Sequence, residues 1–269
     1  MKAIVNGIRM DYSLDGKAGL PVLVLIHGYP FNRRFWQAQV AGLKGRFRIL
    51  TYDLRGMGKS QLGPAPQPME AYVDDLLALL DLLQIRRAAL AGLSMGGYIA
   101  LRAVQRDPQR FWALALCDTR ADADSDEAKL KRAAGIKNLR SKGVGAYVRA
   151  MLPGLFAAST LERRPAVARR LLKIMQASRA DGMANALSAM AGRTDSVAAL
   201  PKFEQPVLVL VGAQDQLAPP ALAKAMAAKL GRRGQFKLIP QAGHVSNLEQ
   251  PQAFNRHLEA FLERAIRLG

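Results

Sequence analysis

Six residues, Gly92-Leu93-Ser94-Met95-Gly96-Gly97, constrain the chain more than any other stretch. They follow a short apolar run, Ala88–Ala91, and precede Met95–Gln105, which has a helical pattern, so the serine falls at a strand-to-helix junction. A G-x-S-x-G run in that setting makes a sharp turn that exposes the serine hydroxyl at the edge of a sheet. Gly92 and Gly96 leave out a Cβ where the turn is tightest, and Gly97 lets the helix approach the strand. Taken alone, the run also fits a glycine-rich turn with an ordinary helix-capping serine. The remaining chemistry has to come from elsewhere in the chain.

The 269 residues suffice for one large domain, and their order predicts an α/β fold with a doubly wound, mostly parallel sheet. Ala3–Val5 and Ile8–Tyr12 flank Asn6-Gly7, a pair suited to a hairpin turn. Pro21–His27 is a continuous apolar run, as expected of a strand buried on both faces. Arg48–Tyr52, Ala88–Ala91 and Phe111–Cys117 are the next strands, with Met69–Leu83 a helix that turns Asp74, Asp75 and Asp81 to solvent. Pro206–Val211, Ala221–Leu230, Gln235–Ile239 and Gln252–Ile266 then repeat strand, helix, strand, helix. Between Asp118 and Leu200 no strand-like run occurs. Ala128–Leu139, Gly145–Leu152, Ala166–Ala177 and Gly182–Ala191 are predicted helices, broken at Gly143, Pro153-Gly154, Pro165 and Gly192. Residues 1–119 and 201–269 are thus the expected core, and 120–200 a helical cap inserted after the sixth strand, over the edge where open α/β sheets bind ligands.

A serine hydroxyl needs a base to become a nucleophile, and the chain has three histidines. His257 lies in the last amphipathic helix, and His27 ends an early strand. His244 follows Ile239-Pro240-Gln241-Ala242-Gly243, in a loop after a late strand, and is the predicted base. Its orienting carboxylate is Asp215, just past the Pro206–Val211 strand, because serine, aspartate, histidine is the chain order of hydrolases of this type. Asp118, just past Phe111–Cys117, is the rival acid. The oxyanion of a tetrahedral intermediate needs two N–H donors. They are expected from Met95, the residue after the serine, and from Tyr29 in His27-Gly28-Tyr29-Pro30, since Pro30 has no N–H.

These motifs together resemble the α/β-hydrolase superfamily over essentially the whole chain. His27–Pro30 looks like its oxyanion loop, Asp53-Leu54-Arg55-Gly56-Met57-Gly58-Lys59-Ser60 like its D-x-R-G-x-G-x-S turn, Gly92–Gly97 like its nucleophile elbow, and Gly243-His244 like its histidine loop. Within it the chain is similar to small capped carboxylesterases and 3-oxoadipate enol-lactonase relatives. The resemblance implies hydrolysis of a small-molecule carboxylic ester or lactone through an acyl-enzyme. Thioesterases, C–C hydrolases and perhydrolases share the same triad, and a ligand-binding protein with little turnover is the reading from outside enzymes. Haloalkane dehalogenases and epoxide hydrolases of this fold carry an aspartate where Ser94 stands. Gly58-Lys59-Ser60 is no P-loop, because Asp53 occupies the first glycine position.

Neither a metal nor a cofactor is expected. Leu155 and Phe156 in the cap, with Tyr29 and Met95, are the expected substrate contacts, whereas Met151, Met175, Met183 and Met190 read as cap core. The net charge of +18 is spread along the chain in short doublets without a long basic run, which argues against nucleic acid as a partner. Arg33-Arg34 and the Arg-rich insertion predict an electropositive mouth that favours anionic substrates. One cysteine excludes an intrachain disulfide, and no apolar run approaches the roughly 20 residues of a membrane span. A cytoplasmic protein is the expectation, with oligomeric state left open.

Overall fold

A computed structural model describes residues 1–267. Eight strands form one sheet: β1 (Lys2–Val5), β2 (Ile8–Asp15), β3 (Val22–Ile26), β4 (Arg48–Tyr52), β5 (Ala88–Leu93), β6 (Phe111–Cys117), β7 (Val207–Gly212) and β8 (Gly234–Ile239). Their order is β1-β2-β4-β3-β5-β6-β7-β8, with the β1–β2 and β2–β4 pairs antiparallel and all others parallel. The inner parallel strands β3, β5, β6 and β7 read as unbroken apolar runs because helices cover both faces, and every residue of β5 and β7 is buried, whereas the edge strand β8 keeps polar Gln235 and Lys237. β3 has β4 on one side and β5 on the other, so successive connections leave it in opposite directions. The crevice this opens at the strands' carboxyl ends is where such sheets hold ligands.

The helices are α1 (Gln37–Leu43), α2 (Met69–Leu82), α3 (Met95–Arg106), α4 (Asp126–Met151), α5 (Ala158–Arg163), α6 (Pro165–Gln176), α7 (Ala180–Ala191), α8 (Pro220–Lys229), α9 (Ser246–Glu249) and α10 (Pro251–Ile266). α1 packs on α10, α2 on α3, and α8 on β7 and β8. An aromatic seam fastens the chain after β3 to α10. Phe31 stacks on Phe35 at 4.4 Å, Phe35 meets Trp36 edge-on at 5.2 Å, and Trp36 lies 6.0 Å from Phe254. Such pairs add about 0.5–1.5 kcal/mol each beyond their burial.

α4 to α7 all lie between β6 and β7. α4 breaks at Gly143 (φ 74°, ψ 165°), the predicted interruption, so it is a pair of helices joined across a kink. α4 rests on α6 and α7, and α7 reaches α2. The seam is close at Gly182, where a Cβ would stand 1.8 Å from the Gly56 carbonyl oxygen. Beside it the Gly58 N–H donates to Ser178 Oγ at 3.1 Å.

α2 departs from expectation in one residue. Asp74 and Asp81 face solvent, but Asp75 is buried, and the Arg55 guanidinium grips it through Nε to Oδ2 at 2.8 Å and Nη2 to Oδ1 at 2.7 Å. The helical pattern alone treats the three aspartates alike. The cation that draws Asp75 inward comes from the turn after β4, twenty residues away.

Candidate active site

Ser94 joins β5 to α3 with φ 54° and ψ −118°, a backbone conformation disfavoured for any residue with a Cβ. Close packing around it holds it there. A Cβ on Gly92 would come within 2.2 Å of the Gly96 carbonyl oxygen, and one on Gly96 within 2.1 Å of the Ile26 carbonyl oxygen. The Ser94 N–H donates to the Cys117 carbonyl at 3.0 Å, and the Thr119 hydroxyl donates to the Ser94 carbonyl at 2.8 Å. The half-buried hydroxyl stands 2.9 Å from His244 Nε2.

His244 follows β8, and its Nδ1 lies 2.9 Å from Asp215 Oδ2. Asp215 can only accept, so Nδ1 carries the proton and Nε2 is left to accept from Ser94. The Leu217 and Ala218 N–H groups, at 2.8 and 3.0 Å, hold the other carboxylate oxygen. The loops bearing Asp215 and His244 touch, since a Cβ on Gly212 would meet the Gly243 carbonyl oxygen at 2.1 Å. The chain Asp215–His244–Ser94 is poised to pass the serine proton to the imidazole and to steady the imidazolium that results.

Asp118, the rival acid, is close to this chain without joining it. Wholly buried and held at φ 45°, it accepts the Gly212 N–H at 2.8 Å and pairs with Ser246 Oγ at 2.5 Å. It therefore ties the start of the Asp215 loop and the residue two past His244 to the end of β6. Burial, and then the charge of Asp215, push its carboxyl well above the usual range.

In the loop after β3, Gly28 runs against the serine, where an added Cβ would stand 3.1 Å from Ser94 Cβ. Among the described residues, the Tyr29 and Met95 amides donate to no protein acceptor, so both are available to a ligand oxygen beside Ser94. His27 supports this loop. Its Nε2 accepts the Leu54 N–H at 3.0 Å and its Nδ1 donates to the Gly28 carbonyl at 2.9 Å, which requires a neutral ring. Burial lowers its pKa to about 4, against the opposing pull of the Gly28 bond. His257 is half-buried on α10, away from these groups.

Ser94 and His244 open into a cavity of about 390 Å³ that Tyr29 and Leu155 also line. Phe156 is buried but is absent from that lining, and the Met95 side chain is buried in the core, leaving only its amide toward the site. Tyr98, Tyr147, Leu187 and Leu217 line the cavity without having been singled out in the sequence. The methionines divide, with Met151 and Met190 on the cavity wall and Met175 and Met183 in the core. The Tyr29 hydroxyl donates to Tyr147 Oη at 3.3 Å. Burial, with the facing phenol, holds Tyr29 well above its ordinary value, so it stays neutral.

The cations at the cavity are engaged by acids: Arg120 with Asp122, Arg132 with Asp124, and Lys131 with Glu127. Asp124 also takes the buried Arg193, whose guanidinium lies 4.2 Å from the Tyr98 ring centre. Arg33 turns to Asp11 instead of the cavity. The electropositive mouth expected from the Arg-rich insertion is thus largely neutralised at the cavity wall.

Residues 21–251 match the alpha/beta hydrolase fold family, and the chain belongs to that family. It is similar to 3-oxoadipate enol-lactonase 2 of Acinetobacter baylyi, with 30% identity over 257 residues that cover 96% of this chain and 94% of the relative. Two solved structures superpose along their whole length. A thermophilic esterase from Thermogutta terrifontis has a TM-score of 0.92 and 37% identity, with 98% of each chain covered. The enol-lactonase from Burkholderia xenovorans LB400 has a TM-score of 0.90 and 32% identity, covering 98% of this chain and 100% of its own. Among the described residues no helix is long and apolar enough to cross a membrane.

Proposed function

We propose that this hydrolase cleaves a carboxylic ester or lactone of a small molecule through an acyl-enzyme on Ser94. The observation that carries this reading is the unbroken hydrogen-bond chain from Asp215 through His244 to a serine facing a cavity. Ser94 Oγ attacks the carbonyl carbon while its proton passes to His244 Nε2, and the amides of Tyr29 and Met95 hold the oxygen that gains charge. The tetrahedral species collapses by breaking the acyl–oxygen bond, and His244 hands its proton to the departing alkoxide. In a lactone that alkoxide stays tethered to the acyl group. A water, deprotonated by His244, then releases the acid and restores Ser94.

Residues 120–200 act as a cap, because Tyr147, Leu155, Leu187 and Met190 give the cavity its wall opposite the sheet. A volume of about 390 Å³ lies at the lower end of small-molecule pockets and suits a small acyl group. The similarity to two enol-lactonases and to an esterase supports both lactones and open esters as the substrate class. A series of p-nitrophenyl esters of increasing chain length, assayed beside a panel of lactones, tests the proposal. The expected result is turnover of short acyl groups with a sharp fall beyond about six carbons, abolished in Ser94→Ala. Turnover of neither class by the wild-type protein would overturn it.

A further inference from the structure

Glu249, the last residue of α9, is completely buried and is no part of the hydrogen-bond chain that ends at Ser94. Its two carboxylate oxygens are spent on two distant pieces of backbone. Oε1 accepts the N–H of Gly243, the residue before His244, at 2.6 Å, and Oε2 accepts the N–H of Ala157 in the cap at 3.0 Å. The same two segments are in direct contact, since a Cβ on Gly243 would stand 2.8 Å from both the Ala157 nitrogen and the Phe156 carbonyl carbon. Arg164 closes the assembly from the cap side, donating from Nη1 to the Glu249 carbonyl at 2.6 Å and from Nη2 to Thr160 Oγ1 at 3.0 Å.

Removing a carboxylate from water is costly unless strong donors replace the lost hydration. Charge-assisted bonds to backbone N–H groups do so, and they are short and directional. Here they fix the peptide that leads into His244 and the segment two residues beyond Leu155, which lines the cavity. Because Glu249 touches neither the imidazole nor the cavity, whatever it contributes passes through those peptides.

We infer that Glu249 is a positioning residue whose buried carboxylate couples the placement of His244 to the placement of the cap wall at Leu155. The inference rests on the proposed roles of Ser94 and His244 and extends them to the cap. One anionic group with two arms sets the reach of the base toward Ser94 and the depth of the acyl pocket. Glutamine cannot substitute for it, because its amide nitrogen would face one of the two N–H donors and leave that arm broken.

Two variants separate the arms. Glu249→Gln disturbs both. Ala157→Pro breaks only the cap arm, by putting a ring carbon where the N–H met Glu249 Oε2, at a residue with φ −62° preceded by one with ψ 153°, dihedrals proline accepts. Each protein is first titrated with a serine-reactive phosphonate, then assayed with acetate and hexanoate esters below its melting temperature. In Glu249→Gln the expected result is full phosphonate uptake with kcat for the acetate ester lowered about tenfold or more and KM changed much less, as a displaced base requires. In Ala157→Pro the expected change is in the ratio of KM for hexanoate to KM for acetate, which reads the pocket wall.

Wild-type kcat in folded Glu249→Gln overturns the coupling, and so does a loss explained entirely by a smaller fraction of phosphonate-reactive protein. If Glu249→Gln does not fold, an unchanged KM ratio in Ala157→Pro overturns it. Failure of the wild-type protein to take up the phosphonate at Ser94 is a different result. It overturns the hydrolase mechanism itself and the role of Glu249 with it.

Discussion

Arg55 and Asp75 meet through two parallel hydrogen bonds in a place where both side chains are almost completely removed from solvent. Asn6 Nδ2 adds a third donor to Asp75 at 3.0 Å, so the turn after β4, helix α2 and the β1–β2 hairpin converge on one carboxylate. Breaking one side of a buried pair strands the other charge, at a typical cost of about 3–5 kcal/mol. Asp75→Ala is expected to lose stability on that scale in urea unfolding. The double variant Arg55→Met/Asp75→Leu should lose less than Asp75→Ala alone, and a larger loss in the double variant would contradict this account.

The two candidate acids differ in what they touch, and their variants should differ accordingly. Ser94→Ala and Asp215→Asn are each expected to lower kcat by about 10⁴-fold, the first by removing the nucleophile and the second by stabilising the wrong histidine tautomer. Asp118→Asn keeps an oxygen for the Gly212 N–H and an amide for Ser246, so about tenfold loss is the most expected. Initial rates on a short ester rank the three, and a crippled Asp118→Asn beside a mild Asp215→Asn would reverse the assignment.

His27 gives stability a dependence on pH. Its folded pKa of about 4 lies below the ordinary 6.5, so between those values the unfolded chain binds a proton that the folded protein refuses. The contribution of the neutral ring is complete above pH 6.5 and is lost as the pH falls toward 4, by roughly 3 kcal/mol in all. Denaturant titrations of wild type and His27→Gln across this range are expected to show a shallower slope in the variant. Parallel slopes would mean that His27 is already protonated in the folded state.

The Gly56–Gly182 contact leaves no room for a methyl group between α7 and the turn after β4. Gly182→Ala is therefore expected to lower stability by about 1–3 kcal/mol through overpacking against backbone that cannot yield. Gly154→Ala, where nothing lies within 4 Å of the added Cβ, is the matched control. Equal melting temperatures for the two variants would show that α7 shifts freely at this seam.

What could be read in the sequence was local or tied to a motif. Gly92–Gly97 specified both a turn and a chemical group, and the inner parallel strands β3, β5, β6 and β7 were visible because burial on two faces leaves no polar alternation to misread. Asp75 was misread because its environment is set by Arg55, and no periodicity within α2 carries that information. The cap wall was harder still. Its cavity residues come from separate helices, Met151 on α4 and Leu187 and Met190 on α7, so which side chains face Ser94 depends on how those helices pack. Phe156 shows the limit. One residue past Leu155 in a short irregular stretch, it lies outside the cavity lining although its size and hydrophobicity match.

The bond between Ser94 and His244 joins residues 150 positions apart, across β6, the cap and both later strands. Closing so long a loop has an entropic cost that only the intervening strand pairings offset. Contacts of that span form late in folding, after local turns and hairpins. A nascent chain that has emerged only as far as α7 lacks Asp215 and His244, and also Leu217 and Ala218, which complete the cavity lining. With His244 as the proposed base, hydrolysis has to wait for the last strand, so recovery of hydrolysis after dilution from denaturant is expected to mark the completion of the whole sheet.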